Sequence, residues 1–207
     1  MANARQFMAS RTAEWSKALP YLRRVAYLES HGTEFIDTGI VPTSDYGFEV
    51  ELVKLHNDET VPIGTWSAWT DRMWGSDFKY QNSSFLSVHG KSWNENRYRV
   101  INIKLVERLH HGMVTVEKNG VIDISRQYDD SFVCDKTAYL FANNVNYSIR
   151  HAGAIKIYGA NITDENDRLV RDFIPVLDLS GRPAMYDDVS GNLFYNQGTG
   201  EFTWGEL

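Results

Sequence analysis

The sequence predicts an all-β protein: a two-sheet antiparallel sandwich preceded by a short N-terminal helix. Three observations predict it. From about Val25 onward apolar side chains recur with period two, the repeat of a half-buried strand. Turn residues separate these runs at short intervals, as an antiparallel sandwich requires. Aromatic residues make up 13% of the chain, with six Trp and eleven Tyr, which suits strands better than a helical bundle. At 207 residues the chain is near the upper range for one sandwich, so length gives no reason to split it. A core of that size needs neither disulfides nor metals to close. We divide the chain into an arm over 1–21 and a sandwich over 22–207.

Residues Ala2 to Leu19 are rich in helix formers and lack glycine, and Pro20 stops them. Ala4, Phe7, Met8, Trp15, Ala18 and Leu19 approximate an apolar stripe, interrupted by Arg11 and Thr12. A lone helix of this length is marginal in water. The stripe must therefore rest on its own sandwich, on copies of itself, or on a larger partner. Phe7, Met8, Trp15 and Leu19 are the candidate attachment contacts.

The strands follow in order. Phe48, Val50 and Leu52 alternate with Glu49, Glu51 and Val53, which places charge outward. Val100, Asn102, Lys104 and Val106 oppose Ile101, Ile103 and Leu105 in a second strand. Met113 to Lys118 and Val121 to Ser125 flank Asn119-Gly120, a pair that supplies the positive φ angles of a type I′ hairpin. Thr137 to Ala142 is a short strand. Ala154 to Thr163 and Leu169 to Leu177 pair across the polar turn Asp164 to Arg168. Phe48, Val50, Leu52, Ile155, Ile157, Phe173 and Val176 are expected to point inward, since a one-residue slip would expose them all.

Charge and cysteine exclude several classes. The net charge is −6 with a pI near 5.5, and the longest basic grouping is Arg23-Arg24. Nucleic-acid binding needs a cationic footprint, so it is not expected. The single cysteine, Cys134, excludes an intramolecular disulfide and reads as a core or half-buried thiol. Met1 to Pro20 lacks the apolar segment of a signal peptide. No stretch approaches the roughly 20 apolar residues of a membrane span. The chain is expected to stay in a cytosol, or to leave it by lysis or inside an assembled particle.

Three segments carry a resemblance: Tyr27-Leu-Glu-Ser-His-Gly-Thr-Glu-Phe-Ile-Asp-Thr-Gly39, the hairpin from Ala154 to Val176 with its Asp172-Phe-Ile-Pro175, and Met185 to Gly200. They resemble the opening, penultimate hairpin and closing strands of LamG-like jelly-roll domains, in the concanavalin A-like lectin/glucanase superfamily. That subtype recurs in bacterial surface proteins and in tailed-phage structural and fibre proteins. The resemblance covers roughly Val25 to Trp204 and implies a two-sheet jelly roll. It implies less about activity, because one fold hosts many.

Some enzymes of this superfamily cleave β-glucans, using two carboxylates roughly 5 to 9 Å apart within a Glu-x-Asp-x-x-Glu segment. No segment here matches. Glu49-Val-Glu51 comes closest, lacks the third acid, and reads as a solvated strand face. No Gly-x-Ser-x-Gly elbow occurs, and Cys134 has no catalytic motif around it. His110 and His111 are adjacent, so on a strand they would face apart and not share one ion. Gly198-Thr-Gly200 is a turn, not a phosphate loop. No cofactor is expected, with calcium left open at Asp164, Asn166 and Asp167 or at Asp187, Asp188 and Asn192. Those oxygens suit calcium, and turn chemistry explains them equally.

The segment Thr65 to Trp74 holds Trp66, Trp69 and Trp74 beside Asp71 and Arg72, and Trp93 follows. An indole covers the apolar face of a pyranose while a carboxylate and a guanidinium bond its hydroxyls. These six residues are the candidate glycan site; the alternative is that individual Trp side chains pack in the core. The expected function is a non-catalytic binding or structural module of a phage virion (fibre, tail or capsid-associated), assembled in the host cytoplasm and homo-oligomeric. Its expected partners are other virion proteins or copies of itself through the helix, and a surface glycan. The alternatives are a glycan-active hydrolase or lyase of the same superfamily, or a bacterial surface carbohydrate-binding protein.

Overall fold

A computed structural model of the chain describes residues 19–56, 58–67, 72–78, 84–88, 91–95, 101–127 and 131–207. No helix occurs among the described residues. The predicted helical arm, with Phe7, Met8 and Trp15, lies outside them. Leu19 is described, belongs to no helix, and is exposed. The strands run in chain order as β1 (Tyr21–Arg24), β2 (Tyr27–His31), β3 (Ile36–Asp37), β4 (Gly47–Lys54), β5 (Thr60–Ser67), β6 (Arg72–Phe78), β7 (Ser84–Val88), β8 (Lys91–Glu95), β9 (Lys104–His110) and β10 (Met113–Lys118). They continue as β11 (Val121–Gln127), β12 (Tyr139–Leu140), β13 (Asn143–Val145), β14 (Ser148–Arg150), β15 (Ala154–Thr163), β16 (Leu169–Asp178), β17 (Pro183–Asp187), β18 (Asn192–Phe194) and β19 (Thr203–Gly205).

Two sheets form the body. Among the described residues the larger has 11 strands in the order β11-β10-β9-β4-β15-β16-β17-β18, with β2 beside β15, β19 beside β2, and β1 beside β16. The smaller holds β14-β13-β5-β12-β3, with β6 against β5. The larger sheet is antiparallel throughout, but β13 runs parallel to β5, so the expectation of a wholly antiparallel sandwich is corrected to one antiparallel and one mixed sheet. The reason is that β13 enters straight after β12, itself antiparallel to β5. Strands β7 and β8 pair with each other.

One apolar cluster joins the sheets. It takes Phe48, Val50 and Leu52 from β4, Ile155 and Ile157 from β15, Phe173 from β16, and Ile63 and Trp74 from β5 and β6. Burying each such side chain stabilises the fold by about 1.5–3 kcal/mol, and these strands supply them at alternate positions. Val176 is also fully buried, but from the other side. It has the opposite parity to Phe173 and packs in a separate cluster with Tyr21, Ala184 and Tyr186 on the outer face of the large sheet. The expectation that Val176 points into the main core is therefore corrected: side chains of β1 and β17, the strands that flank β16 in the sheet, pack around it on the outer face, which strand periodicity does not foresee.

The strand expected over 100–106 begins later, at Lys104. Asn102 sits at φ 60°, a left-handed position that Asn tolerates and a ladder does not. Ile101 makes a single parallel bridge to Lys54, and Ile103 only flanks the core. The Asn119-Gly120 hairpin forms as expected, with φ 51° and 80° at its two turn residues.

Candidate functional site

The tryptophan segment divides. Trp74 is fully buried in the main core, edge-on to Phe48 with ring centroids 5.2 Å apart. Its indole Nε1–H donates to the Tyr46 carbonyl at 3.1 Å, so its one polar group is satisfied inside. Glycine drives this burial. At Gly75 (φ +133°) a Cβ would lie 2.2 Å from the Ile63 carbonyl oxygen, and only a residue without one lets β6 press this close to β5. Trp74 is therefore corrected from sugar platform to core residue. Trp66 is half-buried on β5 opposite Met73. Arg72 opposes Ser67 and Trp93 opposes Leu86 as backbone positions. Trp69 and Asp71 lie outside the described residues.

The outer face of the large sheet is better equipped. Strands β4, β15 and β16 are neighbours, and their register sets Glu49 beside Asn161 and Asn161 beside Asp172. A bulge between Ile157 and Gly159 bends β15 at this point, and Gly159 contributes no side chain. A depression of about 210 Å³ results, lined by Glu49, Glu51, Tyr158, Gly159, Ala160, Asn161, Asp172, Phe173 and Ile174.

Its charges are unequally committed. Arg108 pairs with Glu49 and, at 2.8 Å, with Glu117. Lys104 pairs with Glu51 and sits 4.6 Å from the centre of the Tyr158 ring. By contrast, the side chains of Asn161 and Asp172 have no hydrogen bond or ion pair among the described residues, though both are half-buried. Burial first, then the negative charges of Asp188 and Asp187, pushes the Asp172 carboxyl above the usual carboxylate range, with Arg24 opposing. The expectation of a solvated strand face holds for Glu49 and Glu51. It missed Tyr158, Asn161 and Asp172: plain alternation from Ile155 and Ile157 turns Asn161 inward, and only the bulge between Ile157 and Gly159 reverses that.

A second groove, of about 440 Å³, opens at the loops around Arg182, Asn196, Gly198 and Glu201. Much of its polar equipment is already used. Asn196 Oδ1 accepts from the Phe35 and Gly198 amides, and its Nδ2 donates to the Gly200 carbonyl at 2.5 Å. The Arg182 guanidinium lies over Tyr195, 4.5 Å from the ring centre.

Turn building accounts for two of the calcium candidates, Asp164 and Asp187. Asp164 Oδ1 accepts the amides of Asn166 and Arg168. Asp187 is fully buried and accepts those of Asp172, Val189 and Ser190. The two histidines do not face apart, contrary to the sequence-based expectation. His111 sits at φ 46°, the turn it begins reverses the alternation, and both rings converge on Asp167. Burial pushes the Cys134 thiol up to about 12, aided by Asp135, so it is an inert core group. No helix among the described residues is long and apolar enough to cross a membrane.

The sequence matches no protein-family profile and no curated protein. Its fold is similar to the crystal structure of a "putative carbohydrate binding protein" from Bacteroides ovatus, with a TM-score of 0.61 at 13% identity, covering 89% of this chain and 61% of that one. At such identity the likeness establishes the sandwich fold alone.

Proposed function

We propose that this chain is a non-catalytic glycan-binding module of the LamG-like jelly-roll kind, with its ligand seated in the depression on the outer face of the large sheet. The observation that carries this reading is the adjacent pair Asn161 and Asp172, two half-buried polar side chains without a partner among the described residues. A half-buried carboxyl and amide without a protein partner stay open to bonds from outside the fold, and a ligand can supply them. Sugar hydroxyls both donate and accept, which matches a carboxylate that accepts and an amide that does both. At about 210 Å³ the depression falls below the roughly 300–1,000 Å³ of a pocket for a drug-sized ligand. It suits one sugar ring, with the rest of a glycan lying along the sheet. The fold shared with the Bacteroides ovatus protein supports the same ligand class.

The decisive experiment is a glycan array probed with the wild-type chain and with Asp172→Asn. Binding of defined glycans that the variant loses supports the reading. No glycan binding, or binding indifferent to Asp172, overturns it and leaves a purely structural module. The setting we propose is a phage virion, with the arm, drawn over 1–21 from the sequence and cut back to residues 1–18 because Tyr21 is buried in β1, acting in attachment or self-association. That part rests on the sequence resemblance. A chain starting at Leu19 should keep its fold and lose self-association or particle incorporation; if it still self-associates and enters particles, the arm has another role.

One observation favours a second reading, a glycan hydrolase. Burial raises the Asp172 carboxyl, the direction a general acid needs, and Glu49 lies across Asn161 from it. Two strand spacings put their backbones roughly 9.6 Å apart, at the outer limit of the roughly 6.5–9.5 Å used by inverting enzymes. Glu49, however, is engaged by Arg108. Release of reducing sugar that disappears in both Asp172→Asn and Glu49→Gln would establish catalysis over binding.

A further inference from the structure

At one end of the large sheet, two turns from different hairpins meet. Strand β4 begins at Gly47, which pairs with Thr163 on β15, while its neighbour Phe48 pairs with Leu109 on β9. A Cβ at Gly47 would lie 2.6 Å from Thr163 Oγ1 and 2.7 Å from the Leu109 carbonyl oxygen. The missing side chain therefore lets the ends of β9 and β15 close in on both sides of β4. The β9–β10 turn, with His110 and His111, comes to lie beside the β15–β16 turn, with Asp167.

Backbone conformation then aims the side chains. His111 and Asp167 both adopt positive φ, 46° and 60°. Asp164 builds its own turn by accepting the amides of Asn166 and Arg168, which leaves Asp167 free to project across. His110 Nε2 reaches Asp167 Oδ1 at 2.9 Å, and His111 Nε2 reaches Oδ2 at 3.0 Å. The imidazole centroids are 4.2 Å apart, and one ligand atom from each of the three residues lies within 4.8 Å of the others.

We propose that His110, His111 and Asp167 form a binding site for a divalent late first-row transition ion, with zinc as its reference ion. Two imidazoles and a carboxylate are the ligand types of zinc, whereas calcium and magnesium take oxygen. In a tetrahedral zinc site, bonds of about 2.05 Å place neighbouring ligand atoms about 3.3 Å apart. The two His–Asp separations, 2.9 and 3.0 Å, lie a few tenths of an ångström below that. Each Nε2 faces a carboxylate oxygen, and ligation through Nε2 takes the imidazole tautomer that has its proton on Nδ1. All three side chains are more than half exposed, so water completes the coordination. The bound ion would tie the two turns together.

The test uses tag-free full-length protein stripped with a chelator, titrated with Zn²⁺ by calorimetry and with Co²⁺ by visible absorption. The proposal expects one saturable site per chain in the micromolar range. It expects loss of about tenfold or more in affinity in His110→Ala and in His111→Ala, each removing one of three ligands. The imidazole resonances of these two histidines should shift together as zinc is added. Undiminished zinc binding in the double variant His110→Ala/His111→Ala overturns the proposal, as does no saturable binding below about 1 mM, far weaker than protein zinc sites. Asp167→Asn is a third arm. If that change loosens its turn, the exposed histidine variants still decide, with metal-free melting curves confirming their fold.

Discussion

Strand β16 carries two acids on the same outward parity, Asp172 near its start and Asp178 at its end, and their surroundings drive them in opposite directions. Asp178 accepts the Ser180 hydroxyl, the amides of Ser180 and Arg182, and the Tyr195 hydroxyl. The Ser180 side chain leads these bonds in holding its carboxyl down to about 2, against a smaller effect of burial. Asp172 has no such bonds among the described residues and is pushed up by burial and by Asp188 and Asp187. One acid closes a turn and strengthens the fold. The other lacks such bonds, and burial disfavours its ionised form. Trp74 teaches the same lesson in the core between the sheets: with its indole N–H bonded and its rings packed, it has nothing left to offer a partner.

The largest effect that would test this contrast is at the satisfied core. Trp74→Ala should cost about 3–5 kcal/mol, as aromatic truncations in a packed core do. Urea unfolding measures it, and a loss under 1 kcal/mol would put Trp74 back among surface candidates. Next comes Asp172→Asn. It should weaken glycan binding by the worth of a hydrogen bond to a charged group, about 1.5–3 kcal/mol or roughly 10- to 150-fold. The melting temperature at pH 7 should hold or rise, because the folded state already disfavours the ionised acid. A clear drop in melting temperature would mean that Asp172 supports the fold.

Arg108→Ala removes the partner of Glu49 and Glu117 on the same face. Exposed ion pairs contribute about 0–1 kcal/mol each, so stability should change little, and a larger loss would mark the network as structural. The last test is the pH dependence of Asp178. Its folded value, about 2, lies below the roughly 3.9 of a free Asp. The stability it contributes is complete above that value and is lost as pH falls through about 2. Asp178→Asn should therefore melt lower than wild type at pH 7, and the gap should narrow between pH 4 and pH 2. A gap that is constant with pH would show that the charge is not what holds the turn.

Legibility in the sequence followed the range of the interactions. The β15–β16 hairpin and the Asn119-Gly120 hairpin could be read to within a residue or two, because alternation and turn chemistry are local. The start of β9 could not, since Asn102 sits in an alternating run that only its φ interrupts. Trp66 and Trp74 look alike in the chain. Burial of Trp74 depends on Gly75 meeting Ile63 across a sheet, which no spacing encodes. His110 and His111 were excluded as joint ligands by assuming a continuous strand, and one positive φ reversed that.

The sequence by itself determined the all-β class, the outward placement of Glu49 and Glu51, and the inward placement of Phe48, Val50 and Leu52. Strand periodicity and turn propensity act over a few residues and need no partner to be read. The tertiary structure alone decided which outward groups find partners. It also decided which face of β16 is covered by Tyr21 and Tyr186, and which turns meet beside Gly47. Those outcomes depend on strands far apart in the chain being set side by side at about 4.8 Å, where one missing Cβ or one unpaired carboxyl changes what a surface can bind.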